Sequence, residues 1–281
     1  SGNFVAGSTA GDSIVSGGNY NTVVGDEAGT AITTGYYNTG VGYGALIATN
    51  TGLRNTATGA HSLKTNTTGS ENTANGYDSL QANTTGASNV AVGREAMYSN
   101  TTGDFNTSIG HTALGFNTTA DNNTAVGHHS LRANTTASQN TAVGSKALYS
   151  NTTGSQNTVS GHQALYSNTT GGANVVMGLN AMYFNTTGDN NVAIGRDALQ
   201  KNTTASHNTA VGFQSLDATT TGGQNTSIGG SVLTTNTTGA NNTGLGFASL
   251  AGNTTASNNT GIGHSALRAN TTGVSNVAVG L

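Results

Sequence analysis

The side chains in this sequence that could do chemistry are seven histidines, eleven carboxylates and nine tyrosines; cysteine is absent. The carboxylates are Asp12, Asp26, Glu27, Glu71, Asp78, Glu95, Asp104, Asp121, Asp189, Asp197 and Asp217. They are scattered, and general acid–base catalysis needs a pair held in a cleft with separated pKa values. No catalytic residue is assigned, and the acids read as a solvated face. Of the histidines, His111, His128, His162 and His264 share one place in a repeat, with His61, His129 and His207 elsewhere. A closed zinc site needs four converging ligands, and no carboxylate regularly shares the histidine column. The histidines therefore read as surface residues, with no metal site and no cofactor. A calcium β-roll needs Gly-Asp-rich turns; the turns here carry Asn and Thr.

Two other groups offer binding chemistry. Tyr149, Tyr166 and Tyr183 recur at one place in consecutive repeats and form an expected ridge that could grip a sugar or a protein. The strings beginning at Asn66, Asn83, Asn100 and Asn117 satisfy Asn-x-Thr, the acceptor pattern for N-glycosylation. Stacked threonines beside them would present rows of hydroxyl and methyl groups, a possible ice-binding face. Adjacent threonines in a strand, however, point opposite ways. The plainer reading is that Asn-Thr-Thr-Gly makes a good corner.

All these residues are placed by a strict period. From Asn21 to Asn276, an asparagine recurs every 17 residues, and four residues after each stands a glycine, from Gly25 to Gly280. Unbroken periodicity of this kind marks a solenoid or array. Counting the repeat from Asn66 as position 1, the asparagine column at position 7 includes Asn72, Asn89, Asn106 and Asn123. The glycine column at position 11 includes Gly76, Gly93, Gly110 and Gly127. Leu80, Met97, Leu114 and Leu131 stand at position 15, which is Leu or Met from Leu46 to Leu267. Position 10 is mostly β-branched or apolar, whereas positions 9 and 14 stay small. Residues 1–20 fall out of this register and read as an irregular N-terminal coil or cap; residues 21–281 read as one continuous repeat array.

Helix is disfavoured, because a glycine inside a helix costs about 1 kcal/mol relative to Ala and the apolar positions lack a 3.6-residue stripe. The fold expected is all-β: a parallel β-solenoid, or β-roll, with 17-residue coils. Two short strands per coil are expected. One covers positions 8–10; the other covers positions 13–16 and carries the Leu. The position-10 and position-15 side chains would make the core. So thin a core is hard to stabilise alone, and small residues at positions 9 and 14 would let another chain approach closely. A homo-oligomer follows, either a self-associated bundle such as a trimer or an end-to-end filament.

Composition narrows the function further. With 8 basic and 11 acidic residues, the net charge of −3 supplies no basic footprint for nucleic acid. No run approaches the length of a membrane-spanning helix. Low charge with abundant Gly, Asn and Thr resembles a disordered composition, but a disordered chain has no need of a periodic apolar position. The lack of an initiating Met reads as a piece of something longer. Stability without disulfides must come from stacking, which is compatible with an extracellular setting.

The strings Asn191–Gly195 (NVAIG), Asn89–Gly93 (NVAVG), Asn106–Gly110 (NTSIG) and Asn276–Gly280 (NVAVG) resemble the head repeats of trimeric autotransporter adhesins and related bacteriophage tail-fibre repeats. Ala96, Ala113 and Ala198 follow at the matching place. The resemblance implies a left-handed parallel β-roll, three chains side by side, and a surface fibre that binds host proteins or glycans at a cell surface or virion. Two features depart from the family: the coil is longer, and Asn-Thr-Thr-Gly is an addition to its usual pattern.

Overall fold

A computed structural model describes residues 2–281 as an all-β parallel solenoid, with no helix among the described residues. Each coil contributes one strand of three residues, numbered in chain order from β1 (Phe4–Ala6) and β2 (Thr22–Val24) to β17 (Val277–Val279). The chain divides after Gln139 into two compact units. The first runs to β8 (Thr124–Val126) and the second begins at β9 (Thr141–Val143). Within each unit successive strands pair in parallel, one repeat apart: Thr73 faces Val90 and Val90 faces Thr107 in the first, and Val175 faces Val192 in the second. Like residues thus lie over like, which is why the period tolerates no insertion.

The N-terminal residues, expected as an irregular coil or cap, include a paired strand of their own. They join the solenoid as a coil one residue longer than the rest, with Phe4 paired to Thr22. The Asn3 carboxamide accepts from the Asn21 N–H at 2.8 Å, so Asn3 stands where position 7 would fall.

The inside of the coil also differs from the sequence reading. In the strand, the middle residue at position 9 is buried and its neighbours lie outside. Ala57, Ala74, Ala91 and Ala125 have no exposed surface, while Ile109 is 42% and Val143 40% exposed. The β-branched column at position 10 therefore faces outward, and the small residues at positions 9 and 14 are interior rather than an approach face for another chain. Space explains the small size: a Cβ placed on Gly40 would lie 3.1 Å from Leu46 Cδ1 of the same coil. Where position 9 is Ser108, its hydroxyl donates to the Ala113 carbonyl at 2.8 Å, so the buried polar group is satisfied.

The second expected strand is a turn. Leu80, Met97, Leu114 and Leu131 have φ of 49°, 50°, 49° and 50°, in the left-handed region. Position 13 is also left-handed, as at Asp78 (φ 55°) and Glu95 (φ 55°). A strand would send positions 14 and 15 to opposite faces, yet both must be inside. The two left-handed residues curl the backbone so that Ala113 and Leu114 are both fully buried. The turn still pairs between coils: the N–H of Leu80 donates to the Ala96 carbonyl at 3.0 Å, and that of Leu114 to Ser130 at 2.9 Å. Inter-coil hydrogen bonding offsets the backbone strain of left-handed non-glycine residues, about 1 kcal/mol or more each.

Two interior columns of asparagine fasten the corners. At position 7, the Asn106 N–H donates to Asn89 Oδ1 at 2.9 Å, and Asn106 Nδ2 donates to the Ala120 carbonyl at 2.8 Å. At position 1, Asn83 Nδ2 donates to Asn66 Oδ1 and to the Gly86 carbonyl, each at 2.8 Å. Asn100 and Asn117 repeat the inter-coil bond at 2.8 Å. Asn66, Asn83, Asn100 and Asn117 are fully buried. A glycan on their side-chain nitrogen has no room in the folded coil and would take one of the two N–H donors that an amide such as Asn83 uses, so the burial favours the corner reading over the acceptor reading.

The position-1 column is interrupted at Thr219, which is fully buried. There Asn202 Oδ1 is buried without a hydrogen-bond partner, and Asn236 Nδ2, which donates to the Gly239 carbonyl at 2.9 Å, has across the coils only a long contact to Thr219 Oγ1 at 3.5 Å. Restoring the amide by Thr219→Asn is expected to supply both missing bonds and to stabilise the second unit by about 1–2 kcal/mol. A higher urea midpoint with an unchanged slope is the expected readout.

Candidate functional site

The interior is occupied by structural side chains, so recognition falls to what the coils expose. Three outward sets are formed by the one-repeat register.

The first is aromatic. Tyr149, Tyr166 and Tyr183 are half-buried and stack ring on ring at 5.0 Å, with interplanar angles of 1° and 2°. Phe184 closes the end edge-on against Tyr183 at 4.7 Å. The rings cover one another's faces, so the ridge presents edges and hydroxyls rather than open π surfaces. Burial pushes the Tyr166 hydroxyl above the usual tyrosine range, and the flanking Tyr149 and Tyr183 push the same way. The Tyr166 phenol therefore stays a neutral donor well above neutral pH. A row of donor–acceptor hydroxyls at coil spacing suits hydrogen bonding to a repetitive polar partner.

The second is apolar. Ile109 in the first unit and Val143, Met177, Ile228 and Leu245 in the second are each at least 40% exposed at position 10. Isolated exposed apolar residues are ordinary; a column of them is a surface on which another protein face can lie.

The third is the histidine group His111, His128 and His129, whose ligating atoms all lie within 4.8 Å of one another. In the sequence His111 and His128 share position 12 one coil apart, while His129 falls at position 13, where the expected second strand begins. A left-handed turn at His129 (φ 57°) stands in place of that strand. A signal was present in the regular positions of the repeat, had position 13 been read as a turn.

The remaining expected residues are placed as follows. Several scattered acids are ion-paired: Glu71 with Arg54 at 2.8 Å, Glu95 with Arg94 at 2.8 Å and Asp217 with Lys201 at 3.5 Å. Burial raises the pKa of the Asp217 carboxyl, and Lys201 works against that rise. Of the two threonines in each corner, the first spends its hydroxyl on the next coil, as Thr84 Oγ1 does on the Thr101 carbonyl at 3.0 Å. In most corners only the second, such as Thr85 or Thr102, is exposed; Thr67 and Thr271 are first threonines that are exposed too. The corner thus offers one outward threonine column, not a broad flat face.

Compared with known proteins, the chain matches no family model and no curated sequence. What fold and surface define is a parallel β-solenoid scaffold, an architecture shared by many fibre and adhesin repeat proteins. Among the described residues, no helix is long and apolar enough to cross a membrane.

Proposed function

We propose that this solenoid is a non-catalytic structural element of a surface or extracellular fibre, serving as spacer and as multivalent display surface for adhesion. The observation that carries it is the constant register within each unit: strands there pair with their copies one repeat on, so exposed side chains are presented again and again at one spacing. Such presentation multiplies weak contacts, because each bound site raises the effective concentration of the next. A homo-oligomer, trimeric by the sequence resemblance, would bury the exposed position-10 column. The setting that fits is a cell surface or a virion tail fibre.

Light scattering combined with negative-stain electron microscopy tests the assembly. The expected result is a fixed small oligomer. Fibres that lengthen with concentration would replace it with the end-to-end filament.

The tyrosine ridge favours a glycan or protein ligand within this reading. On a glycan and matrix-protein array, Tyr149→Ser/Tyr166→Ser/Tyr183→Ser is expected to weaken binding by about tenfold or more. Thermal-hysteresis measurements are expected to show no ice binding, given the single outward threonine column. Unchanged array binding by the triple variant would remove the ridge from the adhesive surface.

A further inference from the structure

His111 and His128 occupy position 12 of successive coils in the N-terminal unit, and His129 follows at position 13. Their ring centroids lie 5.5 Å (His111–His128), 5.3 Å (His111–His129) and 3.8 Å (His128–His129) apart. The backbone beneath them is fixed by inter-coil bonds: Gly127 N–H donates to the Ile109 carbonyl at 2.8 Å, and His129 N–H to the His111 carbonyl at 3.0 Å. Thr112 Oγ1 lies 3.3 Å from His111 Nδ1, within reach to orient that ring. The cation one repeat before His111, Arg94, has its charge offset by Glu95 at 2.8 Å. His128 is exposed and the other two are half-buried, so the group is open to solvent on one side.

We propose that His111, His128 and His129 bind a divalent first-row transition ion, such as Zn²⁺, Ni²⁺ or Cu²⁺, and thereby staple one coil to the next. Each imidazole offers one nitrogen, and the three ligating nitrogens already lie within 4.8 Å of one another. Metal–nitrogen bonds of about 2.0–2.1 Å in a tetrahedral arrangement set the nitrogens about 3.4 Å apart. The remaining closure is of order 1 Å, within reach of side-chain rotation on a fixed backbone. Three imidazoles suit borderline ions and leave a coordination position for water or for a donor from a partner. They do not suit Ca²⁺ or Mg²⁺, which prefer oxygen ligands. The site is independent of the tyrosine ridge and of any adhesive role. It is the one place among the described residues where three such ligands converge.

Calorimetric titration of the intact chain with ZnCl₂ and NiCl₂ tests this directly, with MgCl₂ as the hard-ion comparison. One saturable site in the micromolar range for Zn²⁺ and Ni²⁺, and no heat with Mg²⁺, is expected. The single variant His128→Gln changes only an exposed side chain and is expected to weaken Zn²⁺ binding by about tenfold. His111→Gln/His128→Gln/His129→Asn is expected to abolish it; Asn is chosen at the third place because it accepts the left-handed backbone. His162→Gln/His264→Gln, which removes histidines outside the group, should leave binding unchanged. Zinc should also raise the thermal midpoint of the natural chain, reversibly on adding a chelator, but not that of the triple variant. The proposal is overturned by absence of saturable Zn²⁺ binding, by its retention in the triple variant, or by its loss in the His162/His264 variant.

Discussion

Replacing Gly110 by alanine is expected to destabilise the N-terminal unit by about 3–5 kcal/mol. Two effects act together. Gly110 has φ of +137°, a backbone conformation that side chains rarely adopt, and a Cβ there would lie 2.5 Å from the Gly127 carbonyl oxygen of the next coil. That oxygen cannot retreat alone, because it belongs to the equivalent glycine of a bonded coil. The reduced freedom of the unfolded alanine chain returns only about 0.4–1 kcal/mol, so the steric term wins. Gly103→Ala is the informative comparison. A Cβ there also approaches a backbone oxygen, that of Ala120, at 2.4 Å. Yet position 4 is alanine at Ala120, Ala137, Ala205 and Ala256, so the corner already accommodates a methyl group in four coils. A loss below about 1 kcal/mol is expected for it. In a stack where each coil contacts only its neighbours, the Gly110 lesion should also uncouple the coils on either side. A broadened urea transition for Gly110→Ala, beside a sharp one for Gly103→Ala, is the expected pattern. Equal losses for the two would show that backbone conformation at position 11 is not what holds that column to glycine.

The same comparison explains what the sequence made legible. The period, the asparagine column and the glycine column are visible because each like residue sits over its copy, so a change at one coil is felt by the coils beside it. The strand at positions 8–10 followed from β-propensity and turn residues. Which side of it faced inward did not. A three-residue strand has one inward position, too short a stretch for alternation to register. The β-branched residues at position 10 are there because they suit an extended backbone on a half-exposed surface; small residues at position 9 are there because the Leu of the same coil fills the interior. The second strand failed for a related reason. Leu, Met and Glu have no preference for left-handed backbone, so nothing in their identity announces a φ near 50° at Leu80, Glu95 or Met97; Asp78 alone of this set is a type that tolerates it. The conformation is imposed by the need to bury positions 14 and 15 together and by the inter-coil hydrogen bonds that result. The histidine group stayed hidden behind this one misreading, since only a turn brings positions 12 and 13 to the same side.

The second large effect is expected from Asn106→Ala. Asn106 Oδ1 accepts from the Asn123 N–H at 2.9 Å and from Asn123 Nδ2 at 3.2 Å, while its own Nδ2 donates to the Ala120 carbonyl at 2.8 Å. Truncation leaves the Asn123 N–H without this acceptor, while the Ala120 carbonyl loses one donor and keeps the other, Asn117 Nδ2 at 3.0 Å. At about 1–3 kcal/mol for the N–H left unsatisfied and about 0.5–1.5 kcal/mol for the lost bond to Ala120, the loss is about 2–4 kcal/mol. Asn106→Asp separates the two halves of the bond set, since a carboxylate keeps the acceptor for Asn123 but loses the donor. It also sets one oxygen against Asn89 Oδ1, which now accepts from Asn106 Nδ2 at 3.2 Å, and it buries a charge. It is therefore expected to be no better than alanine near neutral pH, although it is closer in shape. Adding Asn123→Ala to Asn106→Ala should cost less than the sum of the two, because the amide bond between their side chains is then lost only once. Hydrogen exchange gives the local readout: the Asn123 amide should lose protection in Asn106→Ala, whereas the Asn72 amide, held by Asn55 Oδ1 at 3.0 Å, should keep most of its own. Uniform loss of protection along the whole N-terminal unit would mean that the coils open together, and that the asparagine column acts as one cooperative element rather than as a chain of neighbouring bonds.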